Sequence, residues 1–243
     1  MKKNLLILSV FISIQQVNAI GFEKENNYIQ PVSESDSVKK VQRQFHSYWG
    51  TTTPTLTNLN NSLAASNYPP FSNTHFALAM AFTEISKKNI VLQHEWGASI
   101  QSNSNDSIFA NLRSTYFSQS LFGIAYASEK NFQMYSTIGF TYVTSVLRIT
   151  KDVADGTDFT NYSEDLGNQV EMKTQNFMLN LTTNVNYLFD LPKMDNRLII
   201  GLKLGYYMPF EKLKWTTGST TLSNSPNINP LNFAAQANIG FTF

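Results

Sequence analysis

From Thr74 to the last residue, apolar side chains recur at every second position, the period of a strand rather than a helix. Phe76, Leu78, Met80 and Phe82 alternate with Ala77, Ala79 and Ala81. Ile90, Leu92, His94, Trp96, Ala98 and Ile100 alternate with Val91, Gln93, Glu95, Gly97 and Ser99. The same pattern runs through Phe122, Ile124 and Tyr126, and through Phe132, Met134, Ile138, Phe140 and Tyr142. Phe177, Leu179, Leu181, Thr183, Val185 and Tyr187 are interleaved with Met178, Asn180, Thr182, Asn184 and Asn186. Leu198, Ile200, Leu202, Leu204 and Tyr206 stand against Gly201, Lys203 and Gly205; Phe233, Ala235, Ala237, Ile239, Phe241 and Phe243 stand against Gln236, Asn238, Gly240 and Thr242.

Alternation alone fits both a soluble sandwich and a membrane barrel. The polar faces separate the two. They carry Asn, Gln, Thr, Ser, Gly and Ala far more than Lys and Glu, which suits a narrow filled lumen better than a solvated sheet. Connection lengths alternate as well. Ser86 to Asn89, Ser128 to Lys130 and Asp190 to Asn196 are short, whereas the stretches near Gln101 to Asn111, Lys151 to Asn168 and Thr216 to Pro230 are long and polar. Short turns on the periplasmic side and long loops outside are the outer-membrane arrangement.

Strand direction then gives the count. The strand at Thr74 to Ile85 and the one ending at Phe243 both run toward the short turns, so one upward strand must precede Thr74. A weak segment near Val41 to Trp49 is the candidate. The tract Thr51 to Asn73, rich in Thr, Asn and Ser with Pro54, Pro69 and Pro70, reads as the first external loop. The expectation is an all-β, closed antiparallel transmembrane barrel of eight strands; ten would require a hairpin in the proline-containing tract, which the prolines disfavour.

The N-terminus has Lys2 and Lys3, an apolar run from Leu5 to Ile14, and Val17-Asn18-Ala19, the layout of a cleaved signal peptide. The expected organisation is a signal peptide over 1–19, a flexible periplasmic leader over 20–40 and a barrel over 41–243. Composition agrees with export into a membrane: only 14% of residues are charged, against roughly 25% in an average soluble domain. A net charge of +1 gives no electrostatic reason to expect nucleic acid. The absence of Cys excludes a disulfide framework and a thiolate zinc site.

With these strands, the signal peptide and a terminal Phe243 preceded by Phe241 and Ile239, the chain resembles the small outer-membrane barrels of Gram-negative bacteria, the OmpA-like and OmpX-like group. The Asn-rich strands and the segment GLKLGYYMPF are similar to barrels of the Bacteroidota. The resemblance implies that Phe243, Phe241 and Ile239 form the signal read by the barrel-assembly machinery. It also implies contact with outer-membrane lipid and lipopolysaccharide, and a monomer in the outer membrane. No peptidoglycan-binding domain follows the barrel, so wall anchoring by that route is not implied.

Candidate chemistry is sparse. Small barrels of this kind include lipid A acyl-modifying enzymes with a His, a Ser and an acid near the outer leaflet. His75, with Ser72 and Asn73 nearby, sits at the expected external end of its strand, without a matching spacing. His94 has outward parity near a periplasmic turn, and His46 lies in the weak first segment. Glu95 and Lys203 are the notable inward charges; strands three and seven should face each other, leaving them either ion-paired or separately hydrated. Phe82, Tyr126, Phe132, Tyr187 and Phe243 should form an outward periplasmic girdle, since amphipathic rings favour bilayer interfaces. Asp152, Asp155, Asp158, Glu164 and Asp165 lack the ligand ladder of a calcium loop. Asp36-Ser37-Val38 and Asp106-Ser107-Ile108 are similar to O-glycosylation acceptors of the Bacteroidota. Phosphate loops, nucleophile elbows, dinucleotide fingerprints and helical zinc motifs are absent from the sequence, and no cofactor or metal is expected. The leading expectation is a non-enzymatic structural or surface-interaction barrel acting through its loops. The alternatives are a lipid A-modifying enzyme and a small-solute, porin-like channel.

Overall fold

The computed structural model describes residues 41–105, 108–128, 131–151, 169–192 and 196–243. The expected signal peptide and leader, the Asp36 acceptor pattern, and Asp106 and Ser107 of the second such pattern lie outside them. Strands β1 (Gln42–Thr55), β2 (His75–Ile85), β3 (Val91–Asn105), β4 (Ile108–Ser128), β5 (Phe132–Lys151), β6 (Gln169–Asp190) and β7 (Arg197–Pro209) follow in order. A two-residue hairpin, β8 (Thr216–Thr217) and β9 (Thr220–Thr221), precedes β10 (Asn229–Thr242).

Each of β1 to β7 pairs antiparallel with its sequence neighbour, and β10 is inserted between β7 and β1. The sheet is thereby a closed eight-stranded barrel without a free edge, with β8 and β9 as an appendage on β6. Side chains alternate in and out along every barrel strand. On β2, Phe76, Leu78 and Met80 are about half exposed while Ala77 and Ala81 are fully buried. The outward face is a continuous apolar surface that includes Trp96, Phe122, Leu181, Ile200, Leu202 and Leu204. So large an exposed apolar area is incompatible with water and marks a lipid-facing wall. No described helix is long and apolar enough to cross a membrane; the strands do so.

Three expected loops are corrected. The tract from Thr51 to Asn73 is not loop throughout: β1 continues to Thr55, and Thr57–Ala65 form helix α1. Pro54 is accommodated because the β1–β10 register shifts between Thr53 and Thr55, where a ladder donor is not required. Second, Gln101 to Asn111 is largely strand, paired from Gln101↔Leu112 to Asn105↔Ile108. Polar residues suit these extensions because they project beyond the apolar belt, while on β4 the inward Ala110 and Leu112 are still buried. Third, the stretch Thr216 to Pro230 contains the β8–β9 hairpin and the first residues of β10. The connection 152–168 lies outside the described residues. At the opposite end, the Ser86 to Asn89 turn is tight, with Asn89 at positive φ and Ser86 N donating to Ile90 O at 2.8 Å.

The strand extensions enclose a cap. Leu59 and Leu63 of α1 pack with Leu56, Phe71, Ala110, Leu112, Leu147, Ile149, Leu213, Trp215 and Ile228 in a small apolar core at the loop end. Polar contacts fix its backbone. Asn60 Nδ2 donates to Phe71 O at 2.8 Å and Asn60 Oδ1 accepts from Phe71 N at 2.9 Å. Trp215 Nε1 donates to Pro226 O at 2.7 Å.

Candidate functional site

The inward face fills the lumen in tiers. Near the turn end, Gln44 Nε2 donates to Gln133 Oε1 at 2.7 Å, and Gln133 Nε2 donates to Gln42 Oε1 at 3.0 Å. His46 stands between Gln44 Oε1 (2.9 Å) and Asn238 Oδ1 (3.4 Å), and Asn238 Nδ2 donates to Asn186 Oδ1 at 3.1 Å. Amides suit this tier because each supplies both donors and an acceptor, so they can link strands that are not neighbours across the lumen, β1 to β5 and β10 to β6.

The middle tier carries the charges. Lys203 of β7 and Glu95 of β3 are both essentially inaccessible, and Lys203 Nζ donates to both carboxylate oxygens of Glu95. Tyrosines surround them. Tyr116 Oη donates to Glu95 Oε1 at 3.0 Å, Tyr207 Oη lies 3.4 Å from Lys203 Nζ, and the Tyr48 ring centroid is 4.9 Å from that ammonium. Tyr48 Oη in turn donates to Asn184 Oδ1 at 3.0 Å and accepts from Gln93 Nε2 at 3.2 Å. An ion pair in so dry a place persists only when its remaining lone pairs and protons are satisfied, which the tyrosine shell does.

Glycines create the room. Gly97 lies opposite Tyr116 across the β3–β4 ladder, and a Cβ there would stand 2.3 Å from the tyrosine ring. Gly97→Ala should therefore displace Tyr116 from Glu95 and destabilise the barrel by about 1–3 kcal/mol, the range for overpacking a filled interior. Urea unfolding of the reconstituted protein measures this; in a Tyr116→Phe background the same glycine change should be less damaging, because the hydroxyl contact is already gone.

Hydroxyls also pair across strands: Thr137 with Thr182 at 2.8 Å and, farther toward the loop end, Ser118 with Thr141 at 2.7 Å and Ser114 with Ser145 at 2.7 Å. The apolar cap closes this end.

Sequence reasoning placed Glu95, Lys203, Gln93, Asn180, Asn184, Asn186, Gln236 and Asn238 on the inward face, and all are buried there. It missed the inward tyrosines Tyr48, Tyr116, Tyr135 and Tyr207, whose parity, opposite to that of the apolar residues, was the available signal. It also missed the cap, although Leu56, Leu59 and Leu63 have helical spacing. Phe82, Tyr126, Phe132, Tyr187 and Phe243 all point outward at the turn end, where the Phe82 ring lies 6.0 Å from that of Phe243 and Phe241 lies 5.7 Å from Phe45. Ile239 is also outward.

The other histidines assemble no relay. His75 is buried beneath the cap, with Ser72 and Gln101 as its polar neighbours. His94 faces outward beside Phe82. Among the described residues no three His, Cys, Asp or Glu side chains are grouped to hold a metal.

Neither a protein-family model nor a curated protein matches the chain. Among solved structures, a major outer membrane protein from Thermus thermophilus is similar over 84% of this chain and 99% of its own, with a TM-score of 0.45 and 10% identity. Ail, the attachment invasion locus protein of Yersinia pestis, is similar over 83% and 95%, with a TM-score of 0.43 and 5% identity. The N-terminal β-barrel domain of Pseudomonas aeruginosa OprF is similar over 83% and 97%, with a TM-score of 0.39 and 11% identity.

Proposed function

We propose that the chain is a non-enzymatic integral outer-membrane protein of the OmpA-like and OmpX-like kind, of Bacteroidota type, whose sealed body contributes to envelope integrity and whose loop end contacts the surroundings. The carrying observation is the pairing of an apolar outer wall with a lumen occupied by the Lys203–Glu95 pair and its tyrosine shell. In this reading the turn end is periplasmic and the capped end external. The protein is a monomer in contact with outer-membrane lipid and lipopolysaccharide, and Phe243, Phe241 and Ile239 serve the barrel-assembly machinery. The seal argues against solute transport, and the polar neighbours of His75 among the described residues, Ser72 and Gln101, include no acid, which argues against acyl-group chemistry.

Fractionation of cells producing the full chain, combined with lipid A mass analysis after deletion of the gene, tests this reading. The expected result is recovery with the outer membrane and an unchanged acyl pattern, together with sensitivity to envelope stress. A soluble periplasmic protein would overturn the membrane assignment, and a changed acyl pattern would replace the structural role with the enzyme.

A further inference from the structure

The connection between β1 and β2 is fastened lightly over the lumen. Its helix α1 has nine residues, no side-chain cap at Leu56, no acid in its first turn and no base in its last. A helix of that length is marginal by itself, so the packing of Leu56, Leu59 and Leu63 into the cap holds it in place. The returning segment, 66–73, is tied to the β3 extension by two side-chain amides: Asn103 Nδ2 donates to Pro70 O, and Asn105 Nδ2 donates to Asn67 O at 3.4 Å. Neither α1 nor this segment belongs to a barrel ladder, so both can lift from their roots at Thr55 and His75 while every strand stays paired.

Beneath them lies a group of orphaned polar atoms. Thr52 Oγ1, both ring nitrogens of His75, Ser99 Oγ and Gln101 Oε1 are buried with no hydrogen-bond partner among the described residues. They are close neighbours. Thr52 is the register partner of His75, and the pairs Phe76↔Ile100 and Ala77↔Ser99 bring His75 alongside Gln101 and Ser99. Ser72 and Gln101 approach His75 without reaching hydrogen-bond geometry. Thr52, His75 and Ser99 are each only 1% exposed. Every such atom costs the desolvation of its group with no bond in return. The closed lid is therefore opposed by the side chains it covers.

We propose that the β1–β2 connection is a lid over a binding site for a small uncharged polyol, which Thr52, His75, Ser99 and Gln101 hold once the lid has lifted. The four side chains set the ligand class. Hydroxyls and an uncharged imidazole both donate and accept, and the Gln101 oxygen accepts. A run of hydroxyls matches that mixture, whereas an ion would bring a charge that none of these groups neutralises. The spacing fits as well: adjacent strands stand ~4.8 Å apart, the reach between alternate hydroxyls of a six-membered ring. The Glu95–Lys203 pair and its tyrosines stay in place below, so the lifted lid uncovers a blind site and not a channel. Lid and ligand compete, and the ligand binds only the open state. Such a site goes beyond envelope integrity and requires only that the capped end meet an aqueous phase.

The test is amide hydrogen exchange, read by mass spectrometry, on the full chain in phosphatidylcholine nanodiscs with myo-inositol as the probe. A ligand of the open state raises the open fraction by mass action, so exchange across Thr57–Ala65 should accelerate, about tenfold at a probe concentration ten times its dissociation constant. The Ser86–Asn89 turn should not respond. General exclusion of a polyol from protein surface favours the compact state and acts with the opposite sign; unchanged or slower exchange in α1 would therefore overturn the site. Thr52→Val and His75→Leu should each abolish the acceleration. Without probe, His75→Leu should slow α1 exchange by about twofold or more, because an apolar side chain removes two orphaned atoms from under the lid; faster exchange would mean that the histidine only supports the fold, and would count against the site. Leu59→Ala loosens the lid, so it should speed exchange without probe and lower the probe concentration for half effect. Where His75→Leu fails to insert, Thr52→Val, which keeps the side-chain shape, decides the outcome. Exchange in α1 no faster than in the barrel strands would show that no separate lid exists. Acceleration that survives Thr52→Val would place the polyol elsewhere, and either result refutes the site.

Discussion

Replacing Lys203 by methionine should destabilise the barrel by about 3–5 kcal/mol, the range for stripping one partner from a buried ion pair. Lys203 is fully buried and its ammonium is the cation in contact with Glu95. Methionine keeps much of the aliphatic stem, so packing changes little and charge dominates. The Glu95 carboxylate would be left with the Tyr116 hydroxyl in a lumen with no room for a hydration shell. Exchanging both residues, Glu95→Gln with Lys203→Met, removes the orphaned charge, and the double variant should be less damaged than the sum of the singles by about 1–3 kcal/mol. The measurement is a urea unfolding cycle on reconstituted protein, with the heat-dependent gel shift reporting closure. Strict additivity would mean that the two charges are held independently.

This pair was legible in the sequence because its logic is topological. Parity put Glu95 and Lys203 on the inward faces, and an eight-strand count put their strands across the lumen from each other. Neither step requires a side-chain detail. Parity also fixed the outward aromatics, since a slip of one residue would have reversed every face at once. What parity could not supply was which inward residues reach the pair. Tyr48, Tyr116 and Tyr207 do so through notches left by small residues such as Gly97 and Ala79 and Ala81, a fit of shapes across strands distant in sequence. The cap was hidden for a different reason. Its polar strand extensions look like loop because they stand clear of lipid, and the apolar residues that bury their inner face come from separate segments: α1, Phe71, Leu213 and Trp215. Within α1 only Leu59 and Leu63 are buried, too few to raise a helical signal above the surrounding Thr, Asn and Ser.

Planar-bilayer recordings of the purified wild-type protein should show no large steady conductance. An eight-stranded wall encloses a space that side chains nearly fill, and here it is closed three times along its length. The amide tier around Gln44, Gln133 and His46 blocks the turn end. The Lys203–Glu95 pair with Tyr48, Tyr116 and Tyr207 occupies the middle. The apolar cap seals the far end with Leu59, Leu63 and Trp215, whose desolvated surfaces exclude a water column. These seals differ in chemistry, so no single agent opens them all. High salt screens charges but does not weaken the cap, and removing the cap leaves the ion pair in place. Truncating Tyr48, Tyr116 and Tyr207 together to alanine should thin the middle seal without opening the ends, and current should remain near baseline. A persistent porin-sized current through the wild-type protein would show that the three tiers do not seal in a membrane, and would put the channel reading first.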